Sequence, residues 1–285
     1  MESLLNGINQ DTLYVSLENL FGVKKEIIEY YVVRHLFLLK DQHPSNIDLP
    51  HFLNFLSDKT KQVVMIPDFE SVAISHLTTR VTGENLEKEP VYNLFDALTE
   101  NTEMKYHLER VGLTFFKAGG KLRTLFRGNL VDWKSFLNGS EYPTAQMIIN
   151  RFEGNRFSSA DKCVNGFLFG GKIYENGNVR HILYLPEIVE NMLRVLGEQK
   201  AINELTKVFK PYMISFAAPI GKIIFDGSKK LTVKQTRFRI IRYCLHYLSK
   251  QYCRSWSEHD NPIIRLIDDY SVQADQIISV QKIDP

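Results

Sequence analysis

Short β-like runs crowd the middle of this chain, and helical segments flank them on both sides. Strand-like stretches fall at 62–66, 72–77, 113–116, 122–126, 164–169, 172–174, 179–185, 212–216 and 222–225. Strands that cluster in this way, rather than alternating strictly with helices, predict an α+β fold with a mostly antiparallel central sheet. The expected organisation has three parts: a helical N-terminal segment at 1–60, an α+β core at 61–230 and a basic amphipathic helical segment at 231–285.

The flanking helices are read from caps and periodicity. Asp11 can cap a helix over 12–20, and Pro50 sits in the first turn of a helix over 49–56. Apolar residues cover much of the circumference of the helix expected at 23–39, as in a helix sandwiched in a core or at an interface. Further helices are expected at 102–111, 144–152, 186–196, onward to about 209, and 233–252, with a last element near 262–270. Ala118-Gly119-Gly120 reads as a hairpin turn and Asn176-Gly177 as a tight turn.

Composition sets limits. Apolar residues make up 44% and charged residues 24%, enough to build a core. The net charge of +2 gives no global basic field, so any nucleic-acid contact needs a local patch. Cys163, Cys244 and Cys253 are odd in number and lack metal-ligand spacing, which argues for reduced thiols without a zinc site. The N-terminus has no basic region before an apolar run, and the apolar stretch at 27–39 is broken by Glu29, Arg34 and His35. These features lead to the expectation of a cytosolic protein with no membrane partner.

Four segments can carry chemistry. His76 ends the β-like run at 72–77, with Thr78 and Arg80 following, and strand ends often build sites on a rigid scaffold. Tyr92, in Pro90-Val-Tyr-Asn-Leu94, can stack on a planar ring or belong to the core. Asp161 precedes Asn165-Gly166, where a glycine inside an apolar run suggests a bulge or a close backbone approach. Arg127 and Arg156 offer guanidinium groups for phosphate. Finally, nine Lys/Arg stand against one acid between Lys222 and Arg254. A helical wheel sets Phe238, Ile241, Leu245, Leu248 and Tyr252 on one face and Arg239, Arg242, His246, Lys250 and Arg254 on the other. That basic face suits a phosphate backbone, an acidic partner or plain solvent.

With these residues in view, the stretch from about Val72 to Phe225 resembles the ADP-ribosyltransferase superfamily, in particular bacterial toxin and phage-defence members with a His-x-Thr strand. His76-Leu77-Thr78 carries the resemblance. It implies a split sheet, NAD as substrate, and transfer of ADP-ribose to a nucleic-acid or protein acceptor, with an antitoxin or defence-system partner. It also implies that His76 holds the ribose with Thr78 in support, that Tyr92 packs on nicotinamide, and that Arg80 or Arg127 meets the pyrophosphate. The late glutamate of such enzymes has no clear counterpart. Glu187 and Glu190 fall in an expected helix and Glu175 in a turn, so Asp161 is assigned as the polarising acid.

Three other classes compete. Arg239 and His246 form an Arg-x6-His arrangement that resembles HEPN-type ribonucleases, although those are all-helical and Ile240 stands where a polar residue is usual. A non-enzymatic binding or adaptor module needs only the basic face and the apolar N-terminal helices. Asp68 with Glu103-Met104-Lys105 mimics a metal-dependent nuclease pattern, but Glu103 is expected to open a helix. The classes separate on geometry: a transferase pocket built from His76 and Tyr92, a ribonuclease groove joining Arg239 and His246, or an exposed apolar or basic patch.

Overall fold

A computed structural model describes residues 3–81, 85–155, 160–171, 173 and 184–283. In chain order these form β1 (Leu4–Leu5), α1 (Gln10–Phe21), α2 (Lys25–Arg34), α3 (Leu36–Lys40), α4 (Leu49–Thr60), β2 (Ser71–Val81), α5 (Leu94–Thr99), α6 (Glu103–Arg110), β3 (Leu113–Ala118) and β4 (Lys121–Phe126). There follow β5 (Asn129–Leu130), α7 (Tyr142–Glu153), β6 (Asn165–Phe167), α8 (Glu187–Val195), α9 (Gln199–Val208), β7 (Phe209–Pro219), β8 (Ile223–Phe225), α10 (Val233–Tyr252), β9 (Ile263–Leu266) and β10 (Ile277–Lys282). The class is α+β. The main sheet has seven strands in the order β10-β7-β2-β6-β9-β8, with β1 paired to β2, and β3-β4-β5 form a second sheet. Pairing of β2 with β6, β6 with β9 and β8 with β9 is antiparallel, whereas the short β1 runs parallel to β2. No helix among the described residues is long and apolar enough to cross a membrane.

The chain divides into two compact units, each assembled from separate stretches. The first comprises Met1–His76, Asn165–Ile173 and Ser215–Leu266, and the second comprises Leu77–Val164, Tyr174–Ile214 and Ile267–Pro285. The expected segments 1–60 and 231–285 therefore meet within one unit for much of their length.

In the first unit, α10 is the central element. Its residues Ile240, Ile241, Tyr243, Cys244, Leu245, Tyr247 and Leu248 are all buried, so both faces are covered between 240 and 249. A capping box between Thr232 and Gln235 starts the helix where the sequence places it. Phe169 stacks on Tyr247 at 4.2 Å with Trp256 edge-on to both. Asn261 bonds both backbone groups of Phe169, donating from Nδ2 at 2.8 Å and accepting at Oδ1 at 3.2 Å. In the second unit, α5–α9 and the β3–β4 hairpin enclose a core of Phe95, Leu98, Leu108, Leu113, Leu122, Phe152, Leu193 and Phe209.

Several elements differ from expectation for local reasons. Asn9, not Asp11, caps α1, because its side chain accepts from Thr12 N and Thr12 reciprocates. The helix expected at 23–39 is two helices joined at His35. The run at 62–66 forms no strand: Lys61 ends α4 in the left-handed region, and Val64 N is bonded by Ser57 Oγ. Conversely, α5 lies in a stretch given no element, and β9 and β10 correct the expectation that 231–285 is helical, because after α10 the chain pairs with strands of the main sheet. The strands expected at 172–174 and 179–185, the turn at Asn176-Gly177, and Glu175 and Arg156 lie wholly or almost wholly outside the described residues.

The close approach expected at Gly166 is present. A Cβ there would lie 2.5 Å from Ile74 Cγ2 and 2.9 Å from Ser75 O of β2. Gly166→Ala is therefore expected to destabilise the protein by about 1–3 kcal/mol through overpacking. Gly139→Ala, where the nearest atom is 3.8 Å away, should change stability by less than about 0.5 kcal/mol. Urea denaturation of the two variants checks the contrast.

Candidate functional site

The residues singled out from the sequence are placed as follows. His76 lies midway along β2 rather than at a strand end, because the strand runs on to Val81. His76, Thr78 and Arg80 occupy alternate positions of one strand and so point to one side of it. His76 is half-buried, and its Nδ1 donates to the Asn165 carbonyl at 2.6 Å, leaving the ring fixed against β6. Thr78 is half-buried and Arg80 is buried.

In the second unit, Tyr92 is half-buried on the approach to α5. Its neighbour Val91 bridges Val272, and Asn93 caps the helix by accepting from Asp96 N. Arg127 pairs with Glu198 at 2.7 Å and lies over the Phe126 ring. Asp161 faces Arg151 at 3.7 Å and accepts from Cys163 Sγ at 3.4 Å. Arg151 is shared with Glu187, 2.9 Å away at the start of α8. Arg127 and Asp161 thus each face an opposite charge. Glu103 opens α6, as expected, and Lys105 donates to Thr99 O at 3.2 Å, while Asp68 of the first unit pairs with Arg237 at 2.7 Å.

The basic side of α10 is not an open face, and the wheel expectation is corrected here. Arg237 donates to Phe69 O at 2.8 Å, Arg242 to Ile47 O at 3.0 Å, and His246 Nδ1 to Leu39 O at 2.9 Å. Arg239 donates to Ser228 Oγ at 2.9 Å and lies 4.3 Å over the Phe225 ring. Lys250 pairs with Asp260 at 3.2 Å. Of the five basic residues expected to form a nucleic-acid face, only Arg254 is exposed. The wheel recorded charge but not the chain that would cover it: long basic side chains bury their stems while their heads meet backbone carbonyls. His246 is 4% exposed, so its ring is not presented to solvent beside Arg239.

A different surface emerges on α2 and α3. Ile28, Tyr31, Val32 and Leu39 are buried, while Tyr30, Val33, Phe37 and Leu38 are exposed at 51%, 49%, 72% and 60%. A spacing of three residues puts Tyr30 and Val33 on one side of α2, and Phe37 and Leu38 follow on α3. His35 N to Tyr31 O at 3.0 Å closes α2, and Leu39 N to His35 O at 3.1 Å opens α3. Phe55 of α4 stacks on Tyr30 at 6.0 Å, and Lys59 Nζ lies over both rings. Beneath, Tyr31 anchors two histidines: its carbonyl accepts from His35 Nδ1 and its hydroxyl meets His51 Nδ1, both at 2.9 Å. Burial, and then the Asp48 carboxylate, pushes the Tyr31 phenol up to about 12, so it meets His51 as a hydroxyl. The all-round apolarity of 23–39 was the available signal for this surface, and burial settles which half of it faces out.

Compared with family models, curated proteins and solved structures, the chain matches none.

Glu153 ties α7 to β4, receiving Lys121 at 3.1 Å and Arg123 at 2.8 Å. Burial alone would raise its carboxyl, but Lys121 and then Arg123 outweigh burial and hold it below its ordinary value. A carboxyl lowered on folding stabilises the protein above its unfolded titration and loses that contribution as pH falls. Glu153→Gln should therefore be less stable than wild type near neutral pH, with the difference shrinking below about pH 4. Thermal unfolding at a series of pH values tests this.

Proposed function

We propose that this chain is a protein-binding module that docks a partner on the outer side of α2 and α3. The observation that supports it is the set Tyr30, Val33, Phe37 and Leu38, which leaves two aromatic and two aliphatic side chains in water within nine residues of α2 and α3. Contiguous exposed apolar side chains are a feature of interaction surfaces. Aromatic anchors ringed by charge are the usual centres of binding energy, and here Arg34 and Lys59 border the set. The other side of the same helices is buried, which presents the set on a firm base.

Phe37→Asp with Leu38→Asp should abolish capture of the partner from cells of the source organism and leave the circular dichroism spectrum unchanged. Val63→Asp, at an exposed residue off the two helices, should leave capture intact. Capture that survives the double substitution contradicts the proposal.

A transferase activity has one observation in its favour, the placement of His76 and Thr78 at alternate positions of β2 as a His-x-Thr strand would have them. Incubation with labelled NAD tests it. Label transfer or nicotinamide release that disappears in His76→Ala would establish the activity, and no turnover by folded wild type would remove it.

A further inference from the structure

We infer that His35 and His51 form a two-histidine site for one divalent transition-metal ion of the Cu²⁺ or Zn²⁺ kind, bound through their Nε2 atoms between the α2–α3 joint and the first turn of α4. His35 stands at the joint, and His51 follows Leu49 and Pro50 at the start of α4. Their ring centroids are 4.9 Å apart with the planes at 80°. An ion about 2.0–2.1 Å from an imidazole nitrogen lies about 3.2 Å from the ring centre, and a ligand–metal–ligand angle of roughly 90–110° then sets two ring centres about 4.5–5.2 Å apart. The observed separation falls inside that interval, so the two elements already stand at the spacing that a shared ion requires.

The hydrogen bonds behind the rings point the same way. The Tyr31 carbonyl can only accept, so the bond from His35 puts the proton on Nδ1, and the neutral ring keeps its lone pair on Nε2. The Tyr31 hydroxyl, 2.9 Å from His51 Nδ1, can accept from that nitrogen in the same manner. An oxygen behind the non-ligating nitrogen is what fixes the tautomer and orientation of metal-binding histidines. Here one tyrosine supplies both oxygens. Neither Nε2 has a hydrogen-bond partner among the described residues. His51 is exposed and His35 half-buried, so the pair lies at the surface. Ring contacts limit its movement: His35 lies 4.4 Å from the Tyr31 ring and 6.2 Å from Phe55, and His51 lies 5.7 Å from Tyr31.

Charge nearby favours a cation. The Asp48 carboxylate accepts from His51 N and acts on the Tyr31 phenol, while Lys59 is engaged over the rings of Tyr30 and Phe55. No group of three or more His, Cys, Asp or Glu side chains suited to a metal occurs among the described residues. Water therefore completes the coordination, and the ion is exchangeable rather than a structural one. Imidazole suits both Cu²⁺ and Zn²⁺, and Cu²⁺ should bind the more tightly. The site does not depend on the docking role proposed for α2 and α3.

Cu²⁺ added below one equivalent to the full chain tests this by pulsed EPR. The folded wild type should give one species with two imidazole ligands. His35→Gln or His51→Gln should leave one imidazole and weaken Cu²⁺ binding by roughly tenfold or more. His43→Gln, at an exposed histidine bonded to Ser45, should change neither. On the wild type alone, Zn²⁺ should slow diethylpyrocarbonate modification of His35 and His51 but not of His43, which locates the site even where a variant fails to fold. Single-imidazole species in the folded wild type overturn the inference, as does a two-imidazole spectrum that survives both substitutions, or Zn²⁺ that protects neither histidine.

Discussion

Three hydrogen bonds from α10 to backbone carbonyls of the N-terminal region hold the first unit in register. Arg237 reaches Phe69, Arg242 reaches Ile47 and His246 reaches Leu39, across sequence separations of 168, 195 and 207 residues. Each carbonyl lies in or beside a segment with little regular pairing of its own, and a buried carbonyl without a donor is costly. A helix with apolar side chains here would bury area but leave those carbonyls unmet. The basic residues let one helix be covered on both faces while satisfying the irregular chain that covers it. Loop closure over such distances is entropically unfavourable, and the surrounding burial of Phe52, Phe69, Phe169 and Phe216 offsets it.

Much of this architecture was legible in the sequence. Helix α10 begins and ends where its periodicity places it, and the Gly119-Gly120 hairpin and the close approach at Gly166 follow from glycine alone. The limits were physical. The run at 62–66 has the composition of a strand, but a strand needs a partner, and pairing is a property of the whole sheet. The wheel on α10 separated charged from apolar residues correctly and misjudged their surroundings, because covering a basic face requires chain from some 200 residues away. His76 stands on a strand, as expected, yet the strand's continuation to Val81 moved it from an end to the middle.

The candidate surface was half legible. Apolar residues all around the helix at 23–39 allowed burial or an interface, and the structure divides them between the two. The buried half packs against α10 and α4, and the other half stays in water. Docking on such a surface needs rigid anchors, and the elements beneath it supply them through Tyr31, His35, His51 and the Leu39 carbonyl. The same interactions thus build the fold of the first unit and position its outward-facing aromatic side chains.

Arginine-selective labelling of the folded protein with phenylglyoxal, read by mass spectrometry residue by residue, tests the central claim most directly. The account requires Arg237 and Arg242 to be protected by their carbonyl bonds, while Arg34 and Arg254 react freely, with all four reactive after unfolding in urea. Labelling of Arg242 in the folded protein as fast as Arg254 would mean that the basic side of α10 is open to solvent, and would contradict the account.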